Sequence, residues 1–299
     1  MKSLYTILNE SILDDEDVLL DPERDKLIIE SWIKDNYTIK GHLKINDDHT
    51  VDCSGDVTIK NTNIESLTNG LFRWGKIGGD FSCYGCKNLR SLEGSPVKVR
   101  GYFDCSFCEK LTSLEGVPKE IGWDFSCSGC DNLKSLEGAP KKVGSSFYCI
   151  GCKNLKSLEG TPEVINRGFY CSKCKNLKSL EGAPKEVKYD FSCVKCDNLT
   201  SLEGAPEKVD GNFLCKECSQ LRDLTGSPKI VKEYYNCEEC VNLITFKGIS
   251  EYIGEGVICN NCTSLQDITD IKKIKGKVIA KNCLNITKIP PKLSNKLIR

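Results

Sequence analysis

The chain contains no long apolar run. No stretch of about 18 consecutive apolar side chains occurs in its 299 residues, so no membrane-spanning helix is expected. An excess of charge of either sign is also missing. The 42 Lys and Arg balance 42 Asp and Glu, which removes the usual electrostatic reason to bind nucleic acid or an anionic membrane. Histidine is nearly absent. His42 and His49 are the two present, and neither stands beside a cysteine, so a Cys–His nucleophile has no local support. A phosphate-cradling glycine loop is absent as well, because the glycines are spread along the chain. Where a signal peptide would need an apolar run, Met1–Leu20 carries Glu10, Asp14, Asp15, Glu16 and Asp17. The expected location is therefore cytoplasmic, and the expected chemistry includes no catalytic residue, cofactor or resident metal.

Cysteine, by contrast, is abundant, with twenty residues. Eighteen of them fall in nine Cys-x-x-Cys pairs, from Cys83–Cys86 to Cys259–Cys262, spaced 22 residues apart. The pairs belong to a longer repeat, Phe-x-Cys-x-x-Cys-x-Asn-Leu-x-Ser-Leu-Glu-Gly-x-Pro-x-x-Val, which Phe147 to Pro162 represents cleanly. A fixed period of this length is the signature of a solenoid, each copy forming one coil stacked on the next. Full copies start at Phe81, Phe103, Phe125, Phe147, Phe169, Phe191 and Phe213. Decayed copies start at Val57, Tyr235, Val257 and Val278, which gives eleven coils in all.

Each column of the repeat has a physical reading. Phe147 and Cys149 are two apart, so on a strand they share one face, here the inner one. The recurring glycine at Gly160 points to positive φ or a tight backbone approach. Seven of the ten prolines share the Pro162 column, which must lie outside any hydrogen-bonded ladder. The cysteines leave three readings open: an apolar core ladder, zinc sites, or disulfides. Ile59 and Ala280 stand where a first cysteine belongs, and Thr62 where a second does, which favours the core ladder. Spacing of Cys-x2-Cys-x18-Cys-x2-Cys keeps zinc as the alternative.

Phe-x-Cys-x-x-Cys-x-x-Leu resembles the leucine-rich repeat core in its cysteine-containing form, with Cys152 at the family's Asn/Cys ladder position. Cys-x-x-Leu-x-Ser-Leu with Pro-x-x-Val is also similar to BspA-like repeats. Ser135-Leu136-Glu137-Gly138-Ala139-Pro140 resembles repeat proteins of gut bacteria and their large phages. The resemblance spans about Val57 to Pro291. It implies a mainly β fold, a right-handed leucine-rich-repeat-like parallel β solenoid. It also implies that the second cysteine of each pair bonds the turn backbone of its own or the next coil. A phage structural or host-interaction protein, in the host cytoplasm, is a further reading that rests on the resemblance alone.

The expected domain plan has four parts. Residues 1–20 form an acidic leader with a weak helical pattern. Residues 21–56 form a cap, a helix from Asp21 to Asn36 with the apolar stripe Ile28, Ile29, Trp32 and Ile33, followed by a hairpin. Residues 57–291 are the solenoid, and 292–299 a C-terminal tail. The expected function is a non-enzymatic, monomeric scaffold that binds a protein partner on its strand face. Outward positions there are mostly small or polar, but Tyr148, Ile150, Tyr170, Val194 and Leu214 break that habit in adjacent coils. These five residues are the candidate protein-binding face.

Overall fold

A computed structural model of the chain describes residues 22–299. The acidic leader and Asp21 lie outside the described residues. The fold is a β solenoid of parallel strands, entered through helix α1 (Pro22–Asn36). Four strands follow in the cap region: β1 (Tyr37–Lys40), β2 (Leu43–Ile45), β3 (Thr50–Cys53) and β4 (Asp56–Ile59). Each coil then contributes one short strand to the first of two walls, and each but the last contributes one to the second.

The first wall is a 13-stranded sheet. Antiparallel β1 opens it, pairing Tyr37 with Ile59 and Lys40 with Asp56. Eleven parallel coil strands follow, from β4 to Val278–Ile279. Within the expected tail, Leu297–Ile298 adds one more parallel strand beside Val278–Ile279. Register is strict: Phe125, Phe147, Phe169 and Phe191 lie side by side. Their rings stack inside the coils, Phe169 on Phe191 at 5.5 Å and Phe191 on Phe213 at 5.4 Å, close to the spacing of about 4.8 Å between neighbouring strands.

The second wall is divided into two six-stranded sheets. One runs from β2 through β3 and β5 (Arg73–Ile77) to Lys142–Val143; the other runs from Val164–Ile165 to Lys273–Ile274. In neighbouring coils a main-chain N–H bridges the walls' coils, Gly144 N to Ile121 O and Lys188 N to Ile165 O, both at 2.9 Å. At the division the Asn166 side chain takes that role, its Nδ2 donating to Val143 O at 3.2 Å.

Between the walls lies a continuous core. In the coil of Phe147, the side chains of Cys149, Cys152, Leu155, Leu158 and Ile165 are all fully buried. Two left-handed residues turn each coil from that of Phe81 to that of Tyr235. The first lies inside the Cys-x-x-Cys pair, where Gly151 has φ 72° and Lys173 φ 62°. The second is the Gly160 column, where φ is 102° and a Cβ would sit 2.2 Å from Leu136 O. Both readings of that glycine apply at once. Pro162 is buried, two residues ahead of the Val164–Ile165 strand, and belongs to no ladder.

The N-terminal end is closed by aromatic packing. Trp74 is fully buried and meets Tyr37 at 5.1 Å, Phe72 at 5.3 Å and Phe81 at 6.2 Å between ring centres. Ile29 and Ile33 of α1 are buried over this end. Trp32 Nε1 and the Tyr37 hydroxyl both donate to Leu67 O in the first coil. Asn36 ties the helix terminus down, its carbonyl accepting Lys60 N at 2.9 Å and its Oδ1 accepting Asn61 Nδ2 at 2.8 Å.

Candidate interaction surface

The cysteines set the inner geometry. All twenty are free and buried. In every pair after Cys83–Cys86 the second thiol donates to the carbonyl of the first cysteine one coil earlier: Cys130 to Cys105 at 3.1 Å, Cys174 to Cys149 at 3.1 Å, Cys262 to Cys237 at 3.0 Å. Cys283, which has no paired first cysteine, still donates to Cys259 O at 2.9 Å. This corrects the expected partner, which was the turn of the same or the next coil. The chain leaves the ladder at the left-handed residue, so the carbonyl free to accept is the one behind. Burial pushes several of the thiols up, Cys86 to about 12 and Cys105, Cys149 and Cys171 well above their ordinary value, whereas hydrogen bonds from Cys259 and Cys262 pull Cys283 down. The raised thiols are neutral, weakly donating core groups. Among the described residues no three His, Cys, Asp or Glu side chains converge as a metal ion would require.

With Phe and Cys turned inward, the residues between them face out. All five candidate residues lie on this outer face of the first wall, across four consecutive coils. Tyr148 and Tyr170 pair in register and stack at 4.9 Å with only 9° between their planes. The column continues through Ser192 to Leu214, again in register. Ile150 and Val194 belong to the next outward column, separated by Ser172. That serine is fixed, with its Oγ 2.8 Å from Ser192 Oγ and accepting Val194 N at 3.2 Å. All five apolar side chains are half-buried.

Tyr170 is the most constrained of them. Gly168 lies under its ring, and a Cβ there would meet the hydroxyl at 2.3 Å. Burial pushes the Tyr170 phenol up to about 12, with the Asp190 carboxylate adding to the effect.

Sequence reasoning missed a second aromatic set. Tyr102 and Trp123 are 42% and 63% exposed at the corner leading into the first wall, and Tyr189 is 47% exposed at the same corner further along. Tyr84 and Phe107 form an exposed edge-to-face pair at 5.3 Å. Two signals were available. Tyr102 is two residues before Asp104, so it shares the outer face by period alone. Phe107 stands in a column that the neighbouring coils fill with Gly85, Gly129 and Gly151, and it takes their left-handed conformation with φ 59°.

No family model matches the chain, and no curated protein matches it. Among solved structures, the crystal structure of a leucine-rich repeat protein from Bacteroides ovatus is similar over 95% of this chain and 100% of that one, at 15% identity and a TM-score of 0.31. Among the described residues, no helix is long and apolar enough to cross a membrane.

Proposed function

We propose that this chain is a non-enzymatic repeat scaffold, acting as a monomer, that holds a protein partner on the outer face of its first wall. The observation that carries the reading is the Tyr148–Tyr170 stack, flanked by Ile150, Val194 and Leu214 on a face whose other positions are mostly small or polar. A contiguous apolar patch on a polar sheet is the usual mark of an interface, and tyrosine is enriched at its energetic centre. The patch is also held rigid before any partner arrives, by register, ring stacking and the Ser172–Ser192 hydrogen bond, so little side-chain entropy remains to be lost. Neither histidine serves a catalytic alternative: His49 faces Asp25 at 3.4 Å in the cap, and His42 is in the β1–β2 connection. A zinc role is not favoured, because in every pair after Cys83–Cys86 the second thiol is engaged with a carbonyl.

The test is crosslinking capture from the native cell with the unaltered chain and with a Tyr148→Ala, Tyr170→Ala double variant. Loss of one specific crosslinked protein, with thermal unfolding within a few degrees of the parent, is the expected result. An unchanged crosslinking pattern in a folded double variant would remove this face from consideration.

A further inference from the structure

The outer face of the second wall carries a different feature at its N-terminal end. An open cavity of about 550 Å³ is bounded by His42, Lys44, Asp52, Lys76, Lys98 and Arg100. Three of these come from the cap hairpin and the rest from the first two coils. Four cations and one carboxylate leave the basin with a formal excess of three positive charges. A volume of this order is that of a small-molecule site.

The carboxylate does not neutralise the lysines. Asp52 Oδ1 accepts the main-chain N–H of Lys76 at 2.6 Å, and Oδ2 accepts Asn46 Nδ2 at 3.4 Å. Among the described residues, Lys44, Lys76, Lys98 and Arg100 form no ion pair, although ion pairs between successive coils are common on this chain. Lys76 and Lys98 moreover stand directly opposite each other in register. Like charges facing across strands destabilise a sheet. Further along the same wall the equivalent neighbours are of opposite sign, Glu186 and Lys208, paired at 2.6 Å. Two like charges therefore face each other on this sheet where it borders the cavity, and such local conflicts mark functional sites.

We infer that this basin binds a small polyanion bearing phosphate groups, free in solution, through Lys44, Lys76, Lys98 and Arg100. The guanidinium of Arg100 supplies a planar fork suited to phosphate oxygens, and the lysines supply mobile point charges around it. A dianion or trianion would match the local excess and relieve the Lys76–Lys98 repulsion. This site is on the opposite wall from the stacked tyrosines and stands or falls independently of them.

Pyrophosphate titrated calorimetrically into the full chain at low ionic strength tests the inference. One-to-one binding is expected, weakened by about tenfold or more in Lys98→Glu, because that variant both removes a cation and adds a repelling carboxylate. The same variant places an acid opposite Lys76, as Glu186 stands opposite Lys208, and beside Glu120 on the other side, so the gain and the loss offset and it should melt close to the parent, which thermal melting in the absence of ligand checks. Lys142→Glu, on the same wall outside the basin, should bind as the parent does. Absence of pyrophosphate binding at millimolar concentration overturns the inference, as does equal weakening by Lys142→Glu. Phosphoinositide vesicles form the second arm: vesicle binding that pyrophosphate does not compete away overturns the free-anion assignment, and vesicle binding that it does compete away, or none, supports it.

Discussion

The Cys152 thiol donates to the carbonyl of Cys127, 3.2 Å away and one coil earlier. Cys127 O otherwise accepts only the turn N–H of Cys130, at 3.3 Å. The next coil's main chain does not supply a partner there, because Ile150 N donates instead to Ser128 Oγ at 3.2 Å. The strand ladder thus skips this carbonyl, resuming with Gly129 N to Ile150 O at 2.8 Å, and a side-chain donor fills the gap from inside the core. Repeated coil after coil, this relationship explains why a thiol holds the position: it is small enough for a packed interior, apolar enough to be buried, and still a donor.

Removing that donor should be measurable in one coil. Cys152→Ala leaves a small cavity and weakens the satisfaction of a buried carbonyl, a loss of about 1–3 kcal/mol. Cys152→Ser retains a donor of similar size and should lose less. Urea unfolding of the three proteins decides the point; equal losses for Ala and Ser would mean that packing alone fixes the column.

The raised thiols also predict alkaline unfolding. A thiol whose folded pKa lies above its unfolded value stabilises the fold fully below the unfolded value, and that contribution is lost as pH rises towards the folded one. For Cys86 the window runs from 9.0 to about 12. Cys105, Cys127, Cys149 and Cys171 shift in the same direction, with burial the largest cause. Above the unfolded value each such thiol removes about 1.4 kcal/mol per pH unit, so five alone remove about 7 kcal/mol per pH unit. Stability measured by circular dichroism under reducing conditions should be flat from neutral pH to near 9 and then collapse cooperatively within about a pH unit or two. A gradual decline spread over the whole alkaline range would contradict the buried ladder.

Two glycines in one coil separate conformational strain from collision. Gly151 and Gly160 both have positive φ, 72° and 102°. A Cβ on Gly151 meets nothing within 4 Å, and Lys173 and Lys195 occupy the same column in later coils. Gly151→Ala should therefore cost only about 1 kcal/mol. A Cβ on Gly160 would lie 2.2 Å from Leu136 O, a backbone atom that cannot move without shifting the coil below. Gly160→Ala should cost on the order of 3 kcal/mol or more. Comparable unfolding midpoints for the two variants would refute the close-packed reading of the second corner.

These contrasts show what the repeat made legible. A strict 22-residue period reports which positions share a column, and a column occupied by Phe, Leu or Cys in coil after coil has to face inward. Proline and glycine columns announced the corners because their backbone constraints are intrinsic to the residue. The outward placement of Tyr148, Ile150, Tyr170, Val194 and Leu214 followed from alternation on the strand. Features set by a single side chain in a single coil were not legible. The division of the second wall depends on the Asn166 amide replacing a main-chain N–H, and one asparagine in a variable position gives no warning of that. The basic basin was hidden for another reason. Lys44, Lys76 and Lys98 look like ordinary solvated lysines until the cap hairpin is folded against the first coils, and the balanced net charge conceals the local excess. The direction of each thiol bond, backward rather than forward, depends on where the left-handed turn leaves the ladder.

The stacked tyrosines allow a test that leaves every interface side chain in place. Gly168 has no side chain where the Tyr170 ring lies, and a Cβ at that position would approach the hydroxyl to 2.3 Å. The atom displaced is the far end of a flexible side chain, so the fold can accommodate Gly168→Ala by swinging the ring outward. That motion breaks the 9° stack on Tyr148 and leaves two separately mobile rings. Stability should fall by about 1 kcal/mol, the scale of one aromatic pair. Partner capture should fall further, because the variant loses preorganisation and must reorder both rings on binding, about 0.5–1.5 kcal/mol for each immobilised side chain. Ser106→Ala, on the same outer face two coils before Tyr148, is the control and should leave capture unchanged. If Gly168→Ala reduces stability yet captures the partner as the parent does, the tyrosine stack is a structural feature of the sheet and the partner is held elsewhere.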